Sequence, residues 1–157
     1  MHQELFAVAV TVRSFVGLNS MLKTERMMKT LDEIRRIFAG DRFATENGAV
    51  IECVETGYAK CTLEIAKRHQ NATGSVMGGV PFMLADFAFA VAANHEQMQT
   101  VSLSSSISFL GVARGQQLIA EARCIKDGRS TCYYRVEVAD ELGNRVAEVT
   151  VNGFHLK

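Results

Sequence analysis

The sequence predicts an α+β protein, a curved antiparallel sheet wrapped around one long buried helix with a packing helix ahead of it. Three observations carry this. The pattern runs helix, two strands, long helix, four strands. From Val80 to Ala93 every residue is apolar except Asp86, and a helix apolar all round is read as buried. Glycine-containing turns separate short segments of period-two alternation, as half-buried strands require. A sheet curled around the one apolar helix satisfies that order.

Residues 1–20 read as a possible upstream extension, with Met21 a second candidate start and 21–157 a single domain. The apolar run Leu5–Val12 is short for a membrane span and ends at Arg13. Only His2, Gln3 and Glu4 stand where a signal peptide carries basic residues, so a cytoplasmic protein is expected. From Lys23 to Ala39, Met27, Met28, Leu31, Ile34 and Phe38 recur at helical spacing before Gly40, which predicts a packing helix. Asp41 to Gly48 reads as a loop. Ala49–Thr56 and Tyr58–Ala66 flank Gly57 and read as a hairpin.

A polar, glycine-rich loop from His69 leads into the apolar helix, with the only proline, Pro81, in the first turn, where a missing N–H costs nothing. Strands are predicted over 100–109, 117–126, 131–139 and 145–154. Their punctuation is Gly111 and Gly115, Asp127-Gly128, and Gly143-Asn144. No Lys, Arg or His lies within four residues of Asp86. A carboxylate without a local partner on so apolar a helix is expensive, which marks Asp86 as a functional candidate.

The 157 residues carry 17 Lys+Arg and 17 Asp+Glu, so the formal charge is zero. That argues against nucleic acid and anionic membrane as partners and suits a chain that buries surface in an oligomer. Cys53, Cys61, Cys124 and Cys132 all fall in predicted strands. None forms a CxxC pair and no Cys/His spacing has the form of a zinc site, so reduced buried thiols, no metal and no cofactor are expected.

Asn71, Gly74, Gly78, Gly79 and Asp86 stand in identity and spacing as in hotdog-fold acyl-CoA thioesterases of the phenylacetic-acid-pathway (PaaI-like) type, which the chain resembles from about Ala49 onward. Met77 departs from that pattern, which usually has His there. The resemblance implies hydrolysis of a coenzyme A thioester by a homodimer or homotetramer, with no separate cofactor. Asn71 and Gly78 of one chain would hold the carbonyl, and Asp86 of the other would act as general base or nucleophile. Ser102, with Ser104 the next choice, matches an assisting serine in some relatives. Gly128 and Arg129 lie in a turn of the kind that binds the coenzyme A phosphates.

The residues support this chemistry. Met77-Gly78-Gly79 places backbone N–H donors at a helix N-terminus, suited to a developing oxyanion. On a regular helix, residues 78 and 86 are about 12 Å apart along the axis, too far to serve one carbonyl. Two helices antiparallel across a two-fold axis would solve that, each Gly78 facing the partner's Asp86. Phe82, Phe87 and Phe89 suggest a wall for a medium-chain or aryl acyl group. His69, near Asn71, has two readings: a substitute for the missing motif histidine or, more commonly at such a position, a solvated loop residue. Met77 cannot donate a hydrogen bond, so a non-catalytic acyl-CoA-binding protein is the alternative. A hotdog dehydratase is disfavoured, because the histidine its chemistry needs is missing from the loop.

Overall fold

The computed structural model describes residues 29–157. The expected extension over 1–20, the start at Met21 and the first residues of the helix expected from Lys23 lie outside the described residues. Helix α1 (Leu31–Phe38) begins later than periodicity suggested, because Thr30 is extended and caps it. The Thr30 hydroxyl accepts from the Glu33 N–H, and the Glu33 carboxylate accepts from the Thr30 N–H, a closed capping box. α1 buries Ile34 and Phe38. Arg35 ties it to the sheet by donating twice to the Ile51 carbonyl, at 2.9 and 2.7 Å. The loop expected at 41–48 contains a second short helix, α2 (Arg42–Glu46), which buries Ala44.

Strands β1 (Ala49–Glu55) and β2 (Tyr58–Glu64) form the expected hairpin about Gly57, whose φ of 69° suits glycine. After a 3-10 turn at Lys67–His69 comes the long helix α3 (Gly79–Asn94). Strands β3 (Thr100–Phe109), β4 (Gln117–Asp127), β5 (Thr131–Asp140) and β6 (Arg145–His155) complete a six-stranded antiparallel sheet in the order β1-β2-β4-β5-β6-β3. Each predicted strand falls within two residues of the observed one.

The core lies between α3 and the concave face of the sheet. Leu84, Ala88, Val91, Leu118, Val136, Val149 and Val151 are all buried there. Phe89 stacks edge-on against Tyr134 at 5.2 Å, and Phe87 against Phe38 at 6.1 Å. Asn94 ends the helix and starts β3. Its carboxamide accepts from the Gln99 and Thr100 N–H groups and donates to the Thr100 carbonyl. Lys29 donates to the His95 and Glu96 carbonyls just past the helix, satisfying acceptors at that end.

One expectation needs correction. α3 is not enclosed on every side. Gly79 and Asp86 are exposed, and Phe82, Met83, Ala90 and Ala93 are half-buried. These positions recur every three or four residues, so they form one open stripe along the helix. A single sheet covers one face of a helix. An apolar helix with an open stripe therefore has a face available to a further partner.

Candidate active site

The site is built outward from the loop that enters α3. Asn71 organises that loop. Its Oδ1 accepts from the Thr73 N–H (2.9 Å), the Thr73 hydroxyl (2.7 Å) and the Ser75 N–H (3.1 Å). Backbone bonds from Asn71 N–H to the Ser75 carbonyl and from Gly74 N–H to the Asn71 carbonyl close the same turn, with Gly74 at a φ of 81°. The carboxamide oxygen is committed to the loop, which leaves the Nδ2 amide as its donor end.

His69 does not stand in for the motif histidine. It is buried, its Nδ1 accepts from the Ala66 N–H at 2.9 Å, and its Nε2 lies 2.9 Å from the Asn47 carbonyl. Its own carbonyl accepts from the Met77 N–H at 2.8 Å. Both ring nitrogens are engaged with backbone, so the residue anchors the loop.

Gly78 is the N-cap of α3, with no side chain capping the helix. Val80 N–H donates to the Met77 carbonyl at 2.9 Å and Pro81 has no N–H, which leaves the Gly78 and Gly79 N–H groups as the donors of this positive end. A Cβ on Gly78 would stand 2.9 Å from the Phe109 ring, so the end of β3 passes close to the start of the helix. The Met77 side chain is 51% exposed and its terminal methyl lies over Gly79.

Asp86 opens onto a recess of about 240 Å³ lined by Gly79, Phe82, Met83 and Phe87 of α3 and by Asp41, Phe43 and Ala44 around α2. Solvent reaches the carboxylate from the open side. The surrounding protein still desolvates it and, with the like charge of Asp41, raises its pKa above the ordinary 3.8. Among the described residues no ion pair involves Asp86. Phe82 lines this recess beside Asp86. Phe87 is buried behind it, and Phe89 points into the core toward Tyr134, so it is no acyl wall. Asp41 and Phe43 are the residues that sequence reasoning missed. Phe43 is 72% exposed in a segment read as loop, and an aromatic in so short a polar stretch was the available signal.

The other candidates lie elsewhere. Ser102 sits on β3 opposite Gly153. A Cβ on Gly153 would meet Phe89, which places this pair on the helix side of the sheet. A bulge then intervenes, and Ser104 pairs with Asn152 and accepts from its amide at 3.1 Å. Gly128 and Arg129 occupy the β4–β5 turn, in an open recess of about 670 Å³ shared with Gln99 and the end of β6. Gln99 follows α3, so this recess lies at the C-terminal end of the helix, while Asn71 and Gly78 lie at its start. Sixteen residues of helix separate the two ends, about 24 Å. Asp86 stands near the middle. One chain brings Asp86, Gly79 and Phe82 together but leaves Arg129 and Ser102 apart from Gly78.

The Thioesterase superfamily profile matches residues 73–154. The chain is 34% identical over 106 residues to a putative esterase of Archaeoglobus fulgidus, covering 67% of this chain and 68% of that one. It is 31% identical over 121 residues to the acyl-coenzyme A thioesterase PaaI of Escherichia coli, covering 76% of this chain and 86% of that one. The solved structure of E. coli PaaI superimposes with a TM-score of 0.74 at 27% identity, over 78% of this chain and 90% of the other. A Streptococcus mutans protein solved with bound acetyl-CoA gives a TM-score of 0.63 at 28% identity, over 70% of this chain and 92% of the other.

Proposed function

Since the chain belongs to the Thioesterase superfamily, as a PaaI-like hotdog thioester hydrolase, we propose that its substrate is an acyl-CoA and that two copies of the chain build each site. The observation that carries this reading is the division of the candidate residues along α3, with donors at one end, the Gly128-Arg129 turn at the other, and Asp86 between on the open stripe.

An edge strand supports the pairing. β3 is ten residues long, has among the described residues a partner strand on one side only, and exposes Val101 and Leu103. Such an edge is a template for another strand. β3 runs antiparallel to its own α3. Antiparallel pairing of two β3 strands about a two-fold axis therefore also sets the two α3 helices antiparallel. Each open stripe then faces the other, and one chain's Gly78 approaches the partner's Asp86.

In that site the thioester carbonyl oxygen accepts from the Gly78 and Gly79 N–H groups and from Asn71 Nδ2, which stabilise the charge that develops on it. The partner's Asp86 acts in one of two ways. As general base it takes a proton from water while the water oxygen bonds to the carbonyl carbon. Collapse breaks the carbon–sulfur bond, and the departing thiolate receives that proton, giving carboxylic acid and free coenzyme A. As nucleophile its oxygen displaces the thiolate directly, and water then hydrolyses the mixed anhydride. Phe82, Met83 and Phe43 offer the acyl chain an apolar wall. Ser102 assists from β3, and Arg129 and Gly128 meet the nucleotide phosphates.

Acyl-CoAs from acetyl to decanoyl, and aryl acyl-CoAs, assayed with a thiol-trapping dye test this. Turnover that favours medium-chain or aryl groups is expected. Because Met77 favours the non-catalytic alternative, binding of these compounds without thiol release would establish that reading instead.

A further inference from the structure

At the end of the sheet away from Gly78, strand register lines up four polar side chains. Thr100 of β3 pairs with His155 of β6. Cys132 of β5 pairs with Gly153, two residues before His155 on the same face, and Asp127 of β4 pairs with Cys132. The row therefore crosses β3, β6, β5 and β4. The Asp127 carboxylate, the Cys132 thiol and a ring nitrogen of His155 all lie within 4.8 Å of one another. His155 Nε2 stands 2.9 Å from Asp127 Oδ1, and its Nδ1 stands 3.0 Å from the Thr100 hydroxyl.

We propose that Asp127, Cys132 and His155 form a binding site for a borderline-soft divalent cation of the zinc class, with a fourth coordination position open to solvent. The ligand set is the first argument. Thiolate, imidazole and carboxylate together match the preferences of zinc, and three protein ligands with one open position are a known zinc arrangement. Geometry is the second. Zinc bond lengths of about 2.0–2.3 Å give tetrahedral edges of about 3.4–3.6 Å, so closing the observed triangle needs movement of about 1 Å. Asp127 is exposed and free to supply it.

Orientation is the third argument. An oxygen at one imidazole nitrogen fixes the ring and presents the other to the metal, which is the relation between Thr100 and His155 here. Access is the fourth. Asp127 and His155 both line an open recess of about 380 Å³ that also includes Tyr134 and Cys124. Gly153 leaves the space that the Cys132 sulfur occupies, since a Cβ there would stand 2.6 Å from it. The sequence carries no zinc spacing because the three ligands come from three strands.

The full-length protein, treated with chelator and then titrated with zinc, should take up one equivalent per chain at micromolar free metal, and its Tm should rise and fall back when chelator is restored. Cobalt should give a thiolate-to-metal charge-transfer band in the near ultraviolet. Cys132→Ala should abolish that band, while Cys124→Ala should keep it. Asp127→Asn and His155→Gln change more accessible residues, and each should weaken zinc binding by more than about tenfold. They carry the test if Cys132→Ala does not fold by circular dichroism. No uptake at micromolar zinc, uptake without the cobalt band, or uptake unchanged in Asp127→Asn and His155→Gln would overturn the proposal.

Discussion

Asp86 holds opposite demands at a single residue. Desolvation and the nearby Asp41 charge raise its pKa above the ordinary 3.8. The folded chain therefore holds this proton more readily than the unfolded chain. The stability so gained is complete below pH 3.8 and is lost as pH rises through the folded-state value. Asp86→Asn carries no charge to desolvate. It should melt at a higher temperature than wild type at neutral pH and lose that advantage as pH falls toward 3.8, in thermal scans across pH. Its kcat/KM should fall by about a hundredfold or more. The wild-type kcat/KM should rise with pH through the same raised pKa. At Met77, replacement by His restores a donor beside the helix N-terminus. Met77→His should raise turnover or shift acyl preference, and an unchanged kcat/KM across several acyl-CoAs would mean that position 77 only packs.

Turns and crossings decide the stability of the elements. The β5–β6 turn is wound around Asp140, which is buried and accepts from the N–H groups of Arg114, Gly115, Leu142 and Asn144. Burial alone would push its carboxyl up. The hydrogen bonds from Arg114, Asn144 and Gly115 outweigh that and hold it well below the usual carboxylate range. Its contribution is therefore present above the ordinary 3.8 and lost as pH falls through the depressed value. Asp140→Ala should lower Tm clearly at neutral pH, whereas Glu137→Gln on the same strand should leave it almost unchanged. Gly153, where β6 crosses α3, has no room for a side chain against Cys132, Phe89 and Thr100. Gly153→Ala should destabilise by about 1–3 kcal/mol in urea denaturation, the usual scale of overpacking.

At the scale of the whole molecule, the shared site makes the sharpest prediction. Asn71→Ala should cost about a hundredfold or more in rate as a lost carbonyl donor, like Asp86→Asn as a lost base. Mixed dimers of the two variants would hold one site with both substitutions and one site with neither. After unfolding and random reassembly, about half the dimers are mixed, so activity should return to about a quarter of wild type. Mass spectrometry establishes that mixed dimers formed. No recovery in their presence would mean that each site is built within one chain or that these residues are not the catalytic ones.

The sequence by itself determined the six strands and the long helix, their order and nearly all strand limits, because alternation and turn residues are local properties of the chain. It also singled out Gly78 and Asp86, since a glycine pair at a helix start and an acid in an apolar run are local signals too, whereas Asn71 stood out through the family resemblance alone. Where an element begins was harder to read. Thr30 is one capping residue inside a continuous helical pattern, and α2 is too short to show a period. The open face of α3 was decided only by the tertiary structure. A helix apolar on all sides has no stripe to give its rotation, so the sequence could not say that Phe89 faces the core while Phe82 and Asp86 face outward. The neighbours of Asp86 at Asp41 and Phe43, and the row from Thr100 to Asp127, depend on the packing of α2 and on register across four strands. Those contacts join residues distant in the chain, and local periodicity does not encode them.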